Sequence, residues 1–170
     1  MVDMVNPFPR DDVLVPSLLD RLLDDDPTVQ NEPPWRQTTI IRNVRESVCR
    51  DLRTLLNSHR WLEHIPASLK ELETSLVNYG LPDFQSLELR QGQSAVRLSR
   101  LIEETVRSFE TRLQGIRVTP VEGDTLMKDG SRTLRFNIEA VLVVEPLREP
   151  VFLTSELNLS RGDFQVEGDR

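Results

Sequence analysis

Apolar residues in this chain recur every three to four positions over 40–56 and again over 95–113, and every second position from Ile116 onward. The first spacing paints one face of an α-helix and the second one face of a β-strand, so the order of elements is helices first and strands last. That order specifies an α+β fold with N-terminal helices packed on a mainly antiparallel C-terminal β-sheet.

Within that frame, Ile40, Ile41, Val44, Val48, Leu52, Leu55 and Leu56 form the apolar stripe of a helix over 38–57, with Arg42, Arg45, Glu46, Arg50 and Arg53 elsewhere on the wheel. Cys49 lies at the edge of that stripe, where an inert, partly buried thiol is expected. A second helix over 94–110 carries Ala95, Leu98, Ile102, Val106 and Phe109, continuing to Leu113. Residues 58–93 are weaker in pattern, with a short helical piece expected over 68–76 and a turn at Tyr79-Gly80-Leu81-Pro82-Asp83-Phe84. Ile116 and Val118 open the first strand, which Pro120 limits. Leu134, Phe136, Ile138 and Ala140 mark the clearest strand, running through Val144. Pro146 and Pro150 should bracket a reversal, after which 151–159 returns and 164–166 closes across an Arg161-Gly162 turn.

Upstream, Leu18, Leu19, Leu22 and Leu23 share a stripe behind Pro16 and the potential cap Ser17, so a short helix is expected there. It ends in Asp24-Asp25-Asp26, an acidic run that opposes the helix dipole, and residues 27–37 read as a proline-punctuated linker. The chain therefore divides into an arm, 1–37, and an α+β domain, 38–170. Leu18, Leu19 and Leu22 have few partners within so short an arm and are expected to enter a partner's groove.

Composition narrows the function. A formal net charge of −7 over 170 residues argues against nucleic acid, which calls for clustered Lys and Arg. The apolar runs fall short of the roughly 20 residues that span a bilayer, so no direct membrane insertion is expected. The start lacks a basic segment followed by an apolar block, and Cys49 has no second cysteine to pair with, so a cytoplasmic protein is expected.

Motifs for chemistry are thin. His59 and His64 stand five apart in a loop-like stretch without a second cysteine, which offers no metal-ligand spacing. Cys49 sits mid-helix, away from the helix N-terminus that would activate it, and no phosphate-cradling glycine loop follows a strand. Glu103, Glu104 and Glu110 share a helix, but Glu103 and Glu104 read as solvent-facing and aromatics are only 5% of the chain, a poor supply for a sugar groove. Arg161-Gly162-Asp163 is read as a tight turn rather than an adhesion motif. The expectation is a protein without a catalytic site, cofactor or metal.

The remaining cluster is Phe109-Glu110-Thr111-Arg112-Leu113. Phe109 and Leu113 lie one helical turn apart and face the core, while Glu110 and Arg112 are expected to project from the helix end. Spacing alone favours an ordinary surface ion pair over a charge pair offered to a partner.

Several segments together resemble the TssE-type baseplate family of bacterial type VI secretion systems, related to phage tail-baseplate wedge proteins. They are Ser17-Leu18-Leu19-Asp20-Arg21-Leu22, Ser47-Val48-Cys49-Arg50-Asp51-Leu52 with Leu55-Leu56-Asn57, Tyr79-Gly80-Leu81-Pro82-Asp83, and Phe109-Glu110-Thr111-Arg112-Leu113. The family form of the last is Phe-Glu-Pro-Arg-Leu. The resemblance implies that Phe109, Glu110, Thr111 and Arg112 form a docking region for neighbouring baseplate subunits. Thr111 in place of the proline predicts a helix running on by a residue or two. It further implies a non-enzymatic subunit whose partners are other wedge subunits and the contractile sheath, with the terminal sheet as template for the sheath's exchanged strands. The acidic run after the first helix resembles the secretion branch. Relatives of the same fold that act as stress-response anti-adaptors supply the alternative, a regulatory protein-binding module.

Overall fold

The computed structural model describes residues 22, 37–61, 65–66, 68–83, 92–121, 125–126, 132–144 and 147–168. Most of the arm, Leu18 and Leu19 included, and His64 lie outside the described residues. Two helices, α1 (Gln37–Leu56) and α2 (Gly92–Phe109), precede five strands: β1 (Leu113–Pro120), β2 (Thr125–Leu126), β3 (Arg132–Val144), β4 (Leu147–Asn158) and β5 (Asp163–Gly168). The α+β order matches the change of period. The two-residue strand β2 carries no alternation and was not expected.

On α1 the stripe residues Val44, Val48, Leu52, Leu55 and Leu56 are buried, with Ile41 and Cys49 partly buried against the same core. On α2 the stripe is Leu98, Ile102 and Val106, all fully buried. The expected helix over 68–76 is instead a pair of single 3-10 turns, Lys70–Leu72 and Leu76–Asn78. The first turn buries no residue and Leu76 is 87% exposed, so no apolar face rewards helix propagation.

The Tyr79–Asp83 turn is held more tightly than its composition suggests. Leu81 is fully buried, its N–H donates to the Ser58 carbonyl at 2.8 Å and its own carbonyl accepts the Arg60 N–H at 3.0 Å. Gly80 adopts φ +112, and a Cβ there would lie 2.2 Å from the Ser58 carbonyl oxygen, so the turn closes only with glycine.

The sheet is antiparallel, ordered β1-β3-β4-β5, with β2 on the start of β3. A bulge between Gln114 and Arg117, with Gly115 at φ +62, lets Leu113, Ile116 and Val118 all point inward. Pro150 does not bracket a reversal. It sits inside β4 opposite Val141, because the antiparallel turn is made earlier, between Val144 and Leu147. Gly162, φ +73, shapes the β4–β5 turn and donates its N–H to the Asn158 carbonyl at 2.8 Å, so Arg161-Gly162-Asp163 is a turn as expected. The helices cover the face carrying Phe136, Ile138, Leu142, Val151, Leu153, Leu157, Phe164 and Val166, while Asn137, Glu139, Val141, Phe152 and Thr154 lie on the opposite, exposed face. No helix among the described residues is long and apolar enough to cross a membrane.

Candidate functional site

Three of the four sequence segments singled out above converge on one corner of the fold. The helix α2 stops at Phe109, and the Glu110 N–H still donates to the Val106 carbonyl at 2.8 Å. The chain then turns through Glu110-Thr111-Arg112 into β1, and Thr111 is exposed within that turn, so the helix does not run on as its replacement of proline predicted. What ends the helix is the turn itself: the Glu110 carboxylate accepts the Arg112 backbone N–H at 3.2 Å, and the Leu113 N–H donates to the Glu110 carbonyl at 3.2 Å.

Neither Glu110 nor Arg112 projects freely from the helix end. Glu110 is 6% exposed, and Arg112 folds back onto it as a two-pronged pair, Nε to Oε1 at 2.7 Å and Nη2 to Oε2 at 2.6 Å. The guanidinium also reaches across to α1, donating to Asp51 Oδ2 at 2.6 Å and to the buried Ser47 Oγ at 3.1 Å. Arg50 approaches from the solvent side, its Nε 3.2 Å from Asp51 Oδ1, so two arginines and two carboxylates balance. The hydrogen bond to Glu110, foremost, holds Arg112 even more firmly charged than a free guanidinium, against the opposing effect of burial. The main chain is pinned as well, since the Arg112 carbonyl accepts the Val143 N–H at 2.8 Å.

Over this cluster lies the glycine turn. The Tyr79 ring stands edge-on to Phe109 with centroids 5.3 Å apart, and burial, followed by the nearby Asp51 and Glu110 charges, raises the Tyr79 hydroxyl pKa. Phe109 and Leu113 pack into the core as expected. Ser47 and Asp51 stood in the quoted segment Ser47–Leu52, but nothing in that segment's spacing says that they meet Arg112, 65 and 61 residues away. The arm contributes one described site residue, Leu22, which is helical and 81% exposed, and the other two, Leu18 and Leu19, lie outside the described residues.

The sheet's edges are handled differently from one another. On β1 the Val118 N–H donates to the Glu103 carboxylate at 3.1 Å, so Glu103 is not a simple solvent-facing acid. On β5 the side chains of α1 close the edge: Asn57 donates to the Phe164 carbonyl at 2.9 Å and accepts its N–H at 2.8 Å, and Arg53 donates to the Val166 carbonyl at 2.9 Å. β5 pairs only with residues 153–158 of β4, so the other half of β4, residues 147–152, has no strand on that side among the described residues.

For chemistry the described residues offer little convergence. His59 bridges to Leu81, and no group of three or more His, Cys, Asp or Glu among the described residues is arranged to hold a metal. Burial, partly offset by Arg53, pushes the Cys49 thiol pKa up, the opposite of an activated nucleophile.

Comparison with known proteins gives one match. Neither the curated proteins nor the solved structures return a match to this chain. The family model described as baseplate wedge protein gp25 matches residues 42–147, a stretch that runs from α1 to the start of β4 and holds every residue of the Arg112 cluster. This match spans more than half of the 170 residues, and the chain belongs to the baseplate wedge protein gp25 family.

Proposed function

We propose that this protein is the wedge subunit of a type VI secretion baseplate, a non-enzymatic part that joins other wedge subunits to the contractile sheath and starts sheath polymerisation. The observation that carries this reading is the family match over residues 42–147 on a helix-backed antiparallel sheet. A rigid sheet with an unpaired stretch of strand can template an incoming strand through backbone hydrogen bonds alone, without catalytic residues.

In this reading Glu110 and Arg112 act as positioning residues. Their cluster locks α1, the α2–β1 turn and the Tyr79 turn into one corner, and the exposed Thr111, with the accessible parts of Arg112 and Asp51, forms the surface met by a neighbouring wedge subunit. The arm adds a second contact through Leu18, Leu19 and Leu22, of which Leu22 is exposed. The Asp24-Asp25-Asp26 run next to that stripe supports the secretion branch over the anti-adaptor relatives.

A pull-down of the tagged full chain from its own host, with mass spectrometry of what is retained, tests the proposal. Sheath and wedge subunits are the expected catch. Recovery of a single response regulator in their place would overturn it in favour of the regulatory module. Arg112→Lys and Glu110→Gln variants that remain folded should recover fewer wedge subunits, and unchanged recovery would remove these residues from the docking role.

A further inference from the structure

Charge is distributed unevenly along this chain. The segments 37–57 and 92–112, which contain α1 and α2, hold eight arginines against five acids, although the whole chain carries a formal net charge of −7. The arm, 1–37, holds eight acids against three arginines, and three of those acids are consecutive, Asp24-Asp25-Asp26, outside the described residues. Carboxylates at the C-terminal end of a helix oppose its dipole, so the helix expected in the arm does nothing to stabilise this run.

On α1 the positive charge is presented on one side. Arg42, Glu46, Arg50 and Arg53 are exposed and recur at four- and three-residue steps, on the side away from the buried Val44, Val48 and Leu52. Contacts within the domain answer this stripe only in part. Arg42 lies 3.7 Å from Glu46, with the two side chains 71% and 70% exposed, and Arg53 donates to a neutral acceptor, the Val166 carbonyl. Arg50 meets Asp51 at 3.2 Å. On α2 the exposed Arg97, Arg100 and Arg107 add to the positive field of the helical layer.

From this complementarity we infer that Asp24-Asp25-Asp26 docks on the arginine stripe of α1 in the same chain, at Arg42, Arg50 and Arg53. The leucines of the arm are then held beside the helical layer and stay free for a partner. The inference concerns the chain by itself and does not depend on the baseplate reading.

The length of the chain permits this contact. Residues 27–36 separate Asp26 from the start of α1 and extend to at most about 36 Å, whereas Arg42 and Arg53 lie about 8 and 24 Å along the helix from Gln37. A tether of that length gives the run a local concentration in the millimolar range, which offsets the weakness of each exposed pair and favours its own α1 over a second copy. Guanidinium groups also suit the task, since each can meet a carboxylate through two parallel hydrogen bonds. Leu22 of the arm's stripe is 81% exposed, so its apolar side chain is not what ties the arm to the domain.

The test uses the full chain. Arg42→Lys and Arg53→Lys each keep the positive charge and place an amine on the stripe, and a carbodiimide joins an amine to a carboxylate only where the two touch. Lys70 and Lys128 are the only native lysines and serve as internal comparisons. Peptide mapping of the monomer should show position 42 or 53 joined to Asp24–Asp26. The yield should be roughly fivefold lower at about 0.5 M salt than at about 0.05 M. It should vanish in a chain that also carries Asp24→Asn, Asp25→Asn and Asp26→Asn at unchanged melting temperature. Mixing isotope-labelled and unlabelled chains assigns the origin of each link. Links within one chain are expected, and links that join labelled to unlabelled chains would overturn docking in the same chain in favour of a second copy. Links of the acidic run confined to Lys70 or Lys128, or no link at position 42 or 53 in the folded variants, would overturn the site. A yield indifferent to salt would overturn its basis in charge.

Discussion

Helix α1 carries two polar clusters on opposite sides of Val48, and they are built in opposite ways. Around Asp51 and Ser47 the charges of Arg112 and Glu110 are answered group by group, with contacts between 2.6 and 3.2 Å. Around Arg45 the ion pair with Glu149 joins one atom of each, Nη2 and Oε1 at 2.6 Å, and leaves Arg45 Nε and Glu149 Oε2 buried without a hydrogen-bond partner among the described residues. A cluster whose groups are all matched contributes to the architecture. One left half-matched carries the desolvation cost of its unanswered groups.

The sharpest way to break this contrast is Arg112→Ala. It leaves the Glu110 carboxylate buried beside Asp51 with its partner gone, and urea denaturation should show a loss of about 3 kcal/mol, toward the lower end for buried pairs because Arg112 retains some exposure. A loss below about 1 kcal/mol would make the cluster an ordinary surface pair after all. Gly80→Ala attacks the same corner through the backbone. With φ +112 and a Cβ 2.2 Å from the Ser58 oxygen, it should cost at least about 2 kcal/mol in the same measurement.

A smaller effect is expected at the sheet edge. Glu103→Ala frees the Val118 N–H and should cost about 1 kcal/mol, while raising concentration-dependent association visible by light scattering. Beside Gly168, Cys49 supplies a pH signature. Its folded pKa is raised by burial, so its contribution to stability is complete below the ordinary value of 9.0 and is lost as pH rises through the folded value. Cys49→Ala should flatten that alkaline decline, and a decline of unchanged steepness would assign it elsewhere. The smallest change belongs to Phe152→Ser on the exposed sheet face, expected within about 0.5 kcal/mol of the parent. A large loss there would mean that this face of the sheet is part of the folding core.

Much of this architecture is legible in the linear order of residues. The stripes on α1 and α2, the alternation in β3 and the Gly162 turn follow from period and turn chemistry, which act between residues close in sequence. The short helical piece over 68–76 misreads because local spacing says nothing about whether a face such as that of Leu76 finds anything to pack against. Pro150 misreads for a related reason: a proline marks a break only when its strand position requires an N–H, and that depends on which neighbour lies beside β4.

The site divides along the same line. By itself the sequence singled out Phe109-Glu110-Thr111-Arg112-Leu113 at a helix end, and Ser47–Leu52 and Tyr79–Asp83 as distinctive segments. Only the tertiary structure decided that these meet, that Glu110 faces inward, and that Arg112 joins α1 to β1 across more than 60 positions of chain. It also decided that β5 pairs with residues 153–158 of β4, a register no local spacing specifies. Periodicity encodes which face of an element is apolar; the partner of a charged group emerges only when those faces are packed together.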